Sequence, residues 1–214
     1  SRQSLVAGLR DALGQEAIII GNVNWHHDKA TVSQINGVFL ELSKEPYERR
    51  SKTLYTRSEL FKIESLLLYY EQRLAYPRLI ALNGWRQTAA VNDLDRNTPA
   101  NRQMAKIMTA MSVVIPAHGY ILYGDNNPDT DYEDDHHHLY YDFYSFDVGQ
   151  PTSSYQRVSR GAGFKEHEQG FVAYNITTRD IVFTTSDGRE ITAPANSGLF
   201  CEYVGNSERC LSED

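Results

Sequence analysis

The first part of the chain alternates between apolar residues at helical spacing and short continuous apolar runs. Residues 4–13 carry such a helical pattern, at Leu5, Val6, Leu9 and Leu13. It predicts a helix that ends before Gly14. Residues 16–22 then form an apolar run that ends in Gly-Asn, which is typical of a strand buried on both faces of a parallel sheet.

The same alternation continues as far as residue 125. Further strands are predicted at 35–40, 78–84 and 120–125, and further helices at 56–76 and 101–114. This βαβαβαβ rhythm predicts four parallel strands with helices packed over them. The fold class is therefore α/β, with four strands that match one half of a (β/α)8 barrel.

The pattern changes in the last third of the chain. Runs such as 170–175 and 180–185 alternate apolar and polar residues, and a turn signal follows at 186–189. We therefore predict a small antiparallel β domain. The chain divides into a half-barrel domain at 1–150 and a C-terminal β domain at 151–214.

Charge and hydropathy exclude two classes of partner. The net charge is −7, and basic residues cluster only in short pairs such as Arg49-Arg50, whereas nucleic-acid binding needs a basic surface. The longest apolar runs are far shorter than the roughly 20 residues that cross a bilayer. We expect neither a nucleic-acid partner nor a membrane span.

The cysteines, Cys201 and Cys210, lie nine positions apart around a Gly-Asn-Ser turn signal. This spacing suits a disulfide that closes a hairpin, with two unpaired cysteines as the alternative. A disulfide would indicate an oxidising compartment, so we expect an extracellular or cell-surface protein.

Polar and aromatic residues follow each predicted strand. They are Asn22, Asn24, Trp25 and His26 after the first, Glu41 after the second, Trp85 after the third, and Asp125 at the end of the fourth. In α/β folds the chemistry lies at the carboxyl ends of the strands. We therefore expect these residues to converge on one surface.

Several segments resemble glycoside hydrolases of the TIM-barrel type. They are residues 36–41 (NGVFLE), 120–125 (YILYGD) and 141–151 (YDFYSFDVGQP). In that family a strand of the first kind delivers a carboxylate to the active-site face, and a segment of the third kind leads into a small β domain, which residues 170–199 also resemble. The resemblance implies a carbohydrate substrate and identifies the chain as the C-terminal half of such a barrel.

A complete barrel has eight strands, whereas the sequence predicts four. Three explanations stay open: preceding sequence supplies the rest, a second polypeptide completes the barrel, or the fold is a smaller α/β sheet with open edges. Exposed strand edges pair readily, so we expect a second chain or another copy to cover them.

Glycoside hydrolysis generally uses two carboxyl groups. Glu41 is the first candidate, because it stands where a barrel strand meets its loop; a helix-capping or surface glutamate is the alternative. Asp125 is the second candidate, although Gly-Asp-Asn-Asn-Pro is also turn-forming chemistry.

A sugar site also needs stacking and hydrogen-bonding groups. Trp25 and Trp85 are candidate sugar platforms, unless they seal loops against the core. Hydrogen bonds to hydroxyl groups are assigned to Asn22, Asn24, His26, His136 and His138, for which ordinary loop positions are the alternative.

The acidic run at 129–135, followed by His136 to His138, is a solvated loop or a Ca2+ site. It lacks the glycine and terminal glutamate of an EF-hand loop, so we assign no cofactor.

The sequence thus supports a carbohydrate-active protein of the glycoside-hydrolase type. The alternative is a noncatalytic carbohydrate-binding or self-assembling protein built on a degenerate half barrel. Likeness of fold alone does not decide between the two functions.

Overall fold

A computed structural model describes residues 1–43, 54–87, 97–126, 136–205 and 207–211. In its first part the elements are α1 (Arg2–Leu13), β1 (Ile20–Val23), β2 (Gly37–Ser43), α2 (Arg57–Arg73), β3 (Leu79–Gln87), α3 (Pro99–Val114), β4 (Gly119–Asn126) and β5 (His136–His137).

The first four strands form a parallel sheet in chain order, β1-β2-β3-β4, and the short β5 pairs antiparallel with the end of β4. This confirms the predicted four-stranded parallel α/β sheet. Helices α2 and α3 occupy the second and third crossovers. The first crossover departs from the predicted rhythm, because the polar connection after β1 holds only a 3-10 turn, Val32–Gln34.

Local sequence explains where the two crossover helices begin. Thr56 and Glu59 form a capping box at α2, in which each side chain accepts a hydrogen bond from the other residue's backbone N–H. At α3 the Thr98 hydroxyl accepts from the Asn101 N–H, and Pro99 occupies the first turn, where its missing N–H costs nothing.

Among the described elements, helices cover one face of the parallel sheet. Alternate residues on that face are buried, as Val38, Leu40 and Leu42 on β2 illustrate. On the opposite face Ile20 and Leu122 are exposed. The prediction that the first strand is buried on both faces is therefore wrong, because no described element packs over this face and β1 lies at the sheet's edge.

The C-terminal strands are β6 (Gln156–Ser159), β7 (Ala162–His167), β8 (Gly170–Asn175), β9 (Ile181–Thr184), β10 (Glu190–Ala193), β11 (Ser197–Val204) and β12 (Ser207–Cys210). Five of them form an antiparallel sheet in the order β12-β11-β8-β7-β6, and β9 pairs with β10 in a separate ribbon. This antiparallel part was predicted.

The antiparallel sheet packs on the helical layer rather than standing apart from it. Val172, Tyr174 and Phe200 belong to the same core as Ile107 and Met108 of α3. The approach is close at Gly198, where an added Cβ would lie 2.7 Å from the Lys106 carbonyl oxygen. The helices thus lie between two sheets, and the segments 1–150 and 151–214 share one core.

Cys201 and Cys210 are register partners on β11 and β12 and form the predicted disulfide. No helix in the described ranges is both long and apolar enough to cross a bilayer.

Candidate functional site

A cavity of about 610 Å³ opens at the carboxyl ends of β1 and β2. It brings together four residues that the sequence analysis singled out, namely Asn22, Asn24, His26 and Glu41. Of the four strand-end groups expected to converge, this cavity contains residues of the first two and neither Trp85 nor Asp125. We call this space the Glu41 cavity.

Glu41 lies on the face of β2 that the helices leave open. Its neighbours along the strand, Leu40 and Leu42, are buried on the helix-covered face, and the Glu41 side chain on the other face is half-buried. The Asn22 side-chain amide donates a hydrogen bond of 3.0 Å to Glu41 Oε2. This bond holds the carboxylate in one orientation beside the cavity.

The polar side chains around Glu41 continue onto β3 with Asn83, which the sequence did not single out as a candidate. It is the register partner of Glu41 on the neighbouring strand. Its Oδ1 atom is buried and has no hydrogen-bond partner among the described residues, which is uncommon for a buried amide oxygen. The sequence signal was available, since Asn83 also follows an apolar strand run.

Asp28 supplies a second carboxylate to the Glu41 cavity, but its oxygens are occupied. They accept hydrogen bonds from the N–H groups of Ala30 and Thr31 and from the Thr31 hydroxyl, and Arg2 Nη2 lies 3.5 Å away. Burial alone would raise the pKa of Asp28, but the bonds from Thr31 and Ala30 and the Arg2 charge together lower it. Asp28 is therefore an ionised loop-forming residue and a poor proton donor.

The loop that carries His26 is tied to helix α2. The Tyr70 hydroxyl donates to the His26 carbonyl oxygen at 2.7 Å and accepts from the Asp28 N–H at 3.0 Å. The His27 ring packs edge-on against Tyr69, with centroids 4.6 Å apart. One wall of the Glu41 cavity is thus fixed to the helical layer.

Neither tryptophan lines the Glu41 cavity. The Trp25 indole N–H donates to the Ser43 carbonyl oxygen at 2.9 Å, and its ring lines a neighbouring cavity of about 410 Å³ under Lys62. Trp85 is only 9% exposed. Trp25 packs against the main core, whereas Trp85 lies within β3.

The remaining candidates lie at the β4 end of the sheet. Asp125 pairs with His137 through the backbone, and the side chains of Asp125 and His136 lie outside the described part of the structure. His138 is exposed and its Nδ1 atom lies 3.4 Å from the Tyr123 carbonyl oxygen. It does not line the Glu41 cavity.

The acidic run that raised the Ca2+ hypothesis, residues 129–135, also lies outside the described residues. Within the described ranges, no group of three or more His, Cys, Asp or Glu side chains is arranged to hold a metal ion.

Comparison with models of known protein families finds no match, and no curated protein matches the chain either. The geometry of the Glu41 cavity therefore carries the functional argument.

Proposed function

We propose that this chain is a carbohydrate-active protein of the glycoside-hydrolase type, with Glu41 as its catalytic carboxylate. The observation that supports this most is the placement of Glu41, which lies at the carboxyl end of a parallel strand, on the open sheet face and beside a cavity. Asn22, Asn24 and His26 line the same cavity and would bind sugar hydroxyl groups. The disulfide fits an extracellular or cell-surface setting.

The proposed reaction breaks a glycosidic C–O bond with water as co-substrate. A second carboxyl group donates a proton to the leaving oxygen, while Glu41 attacks the sugar carbon or removes a proton from water. Asp28 does not suit the donor role, since its pKa is lowered and its oxygens are occupied. The proton-donating carboxyl group is therefore proposed to come from Asp125 in this chain or from a second chain that covers the sheet edge.

The test compares the wild-type protein with Glu41→Gln on a panel of polysaccharides, with release of reducing ends as the assay. We expect hydrolysis of at least one glycan, reduced about a hundredfold or more in E41Q, because general acid–base or nucleophilic catalysis contributes on this scale. Exposed Glu16 gives the matched control, and Glu16→Gln should retain full activity.

Equal hydrolysis by the wild type and E41Q would disprove the role of Glu41. Binding of a glycan without any hydrolysis by the wild type would instead favour the noncatalytic alternative.

A self-associating protein is the second candidate, and exposed apolar residues at the β1 edge favour it. Leu5, Leu9 and Leu13 form an exposed stripe on α1, and Ile18 and Ile20 are exposed beside it. In the described part of the chain, β1 has a strand partner on one side only. We propose that a second copy or another chain covers this edge.

Light scattering after size exclusion tests this candidate, with Ile20→Asp and Val182→Asp as a matched pair. Ile20 is 55% exposed on β1 and Val182 is 53% exposed on β9. We expect a species larger than the 24.4 kDa chain, dissociated by I20D and unaffected by V182D. A wild-type monomer at high concentration would contradict self-association.

A further inference from the structure

A second cavity, of about 430 Å³, lies at the opposite end of the sheet from Glu41. Its walls come from the second half of α2, from the connection between α3 and β4, and from the antiparallel sheet. Leu68, Ile115 and Pro151 contribute apolar surface, and Lys165 contributes a cation. The volume falls in the range of small-molecule sites.

Lys165 is 3% exposed, and its ammonium group is only partly satisfied. Two of its hydrogens are donated to backbone carbonyl oxygens, of Val113 at 2.7 Å and of Pro116 at 2.5 Å. The third hydrogen has no acceptor among the described residues, and no described carboxylate forms an ion pair with it. A buried cation with no carboxylate within ion-pair distance is costly.

The carboxylate of Glu71 also lines this cavity, but its charge is compensated elsewhere. Glu71 Oε1 lies 3.6 Å from Arg78 Nη1, and its Oε2 accepts a hydrogen bond of 3.2 Å from the Ala117 N–H. The Glu71 carboxylate thus acts on Lys165 only at longer range, and the Lys165 ammonium group has no ion-pair partner among the described residues.

We propose that this cavity binds a small organic carboxylate with an apolar body, whose carboxylate accepts a hydrogen bond from the Lys165 ammonium group. The carboxylate supplies the missing acceptor and counter-charge in a single charge-assisted bond. The apolar body fills the space beside Leu68, Ile115 and Tyr155. This inference is independent of Glu41 and of carbohydrate binding.

The test titrates the wild-type protein with benzoate and hexanoate, and with their neutral amides, benzamide and hexanamide, while backbone amide NMR signals are followed. We expect saturable shifts at Ile115, Ala117 and Lys165 with the acids. The amides should bind at least about tenfold more weakly than the acids, because they lack the negative charge that pairs with Lys165.

Two variants locate the site. Ser154→Trp introduces a bulky side chain at the exposed rim of the cavity and should block the acids while leaving Lys165 in place. Lys165→Met should abolish the preference for acid over amide, whereas Lys62→Met, at an exposed position outside this cavity, should retain it.

Equal binding of acids and amides, shifts that map elsewhere, or the absence of saturable shifts would each overturn the proposal. The comparison of acid with amide and the S154W result decide the matter even where K165M does not fold.

Discussion

At the residue scale, a carboxylate is buried where the antiparallel sheet meets the helices, and a backbone N–H and a hydroxyl group satisfy it. Glu64 of α2 accepts from the Gly161 N–H at 2.9 Å and from the Tyr174 hydroxyl at 2.7 Å. Burial and the nearby Glu64 carboxylate raise the pKa of Tyr174, so its hydroxyl stays protonated as a donor. Such contacts fix the position of one layer on the other.

Lys165 predicts a dependence of stability on pH. Burial lowers the pKa of Lys165 from the ordinary 10.5 to about 8, although the Glu71 carboxylate acts in the opposite direction. Between these values the unfolded chain binds the proton and the folded chain does not, so the free energy of unfolding rises with pH. Relative to K165M, the wild type should gain up to roughly 3 kcal/mol between about pH 7 and pH 10.5.

Urea unfolding of both proteins across this pH range measures the effect. A constant difference between K165M and the wild type would show that Lys165 is not buried as described.

At the element scale, the C-terminal strand β12 depends on its disulfide. Its residues are all exposed, so apolar burial contributes little to holding it against β11. Cys201, in contrast, is fully buried in the small core beneath the β9–β10 ribbon. The covalent bond therefore adds to the four-residue ladder with β11 and ties this exposed edge strand to the buried Cys201.

Reduction of the Cys201–Cys210 bond should lower the free energy of unfolding by roughly 2–3 kcal/mol, the loop-closure contribution expected for a separation of nine residues. Denaturant unfolding with and without reductant measures it. A C201A/C210A variant should be insensitive to reductant. Wild-type stability that reductant leaves unchanged would contradict this prediction.

Helix α1 shows that a sequence pattern can predict secondary structure without predicting which side chains are buried. The spacing of Leu5, Leu9 and Leu13 correctly predicts a helix, since period 3.6 is a local property. It does not reveal that these side chains are exposed, because burial depends on what packs against them. Arg10 shows the converse: it is buried and donates to the carbonyl oxygens of Ala17 and Gln34.

At the scale of the whole molecule, the sequence predicts the four parallel strands with their helices and the antiparallel part, which follow from repeated apolar runs and turn signals. It does not predict that one face of the parallel sheet is open, nor that the antiparallel sheet packs on the helices. Both are tertiary arrangements, and the exposed Ile20 and the shared core around Tyr174 illustrate them.

Part of the candidate site was predictable from the sequence, namely the polar residues at the ends of the first two strands. Asn22, Asn24, His26 and Glu41 converge because parallel strands place their carboxyl ends along one edge. Trp85 does not join them: it lies within β3, not after it, and it is buried. Asp28 was missed because its role depends on local loop geometry.

The most direct measurement is NMR mapping of oligosaccharide binding, with cello-, xylo-, chito- and malto-oligosaccharides titrated into the labelled protein. We expect saturable shifts at Asn22, Asn24, His26 and Glu41 with at least one series, and we expect E41Q to alter them. Shifts confined to other surfaces, or no shift at these residues with any series, would contradict the assignment of the Glu41 cavity as a carbohydrate site.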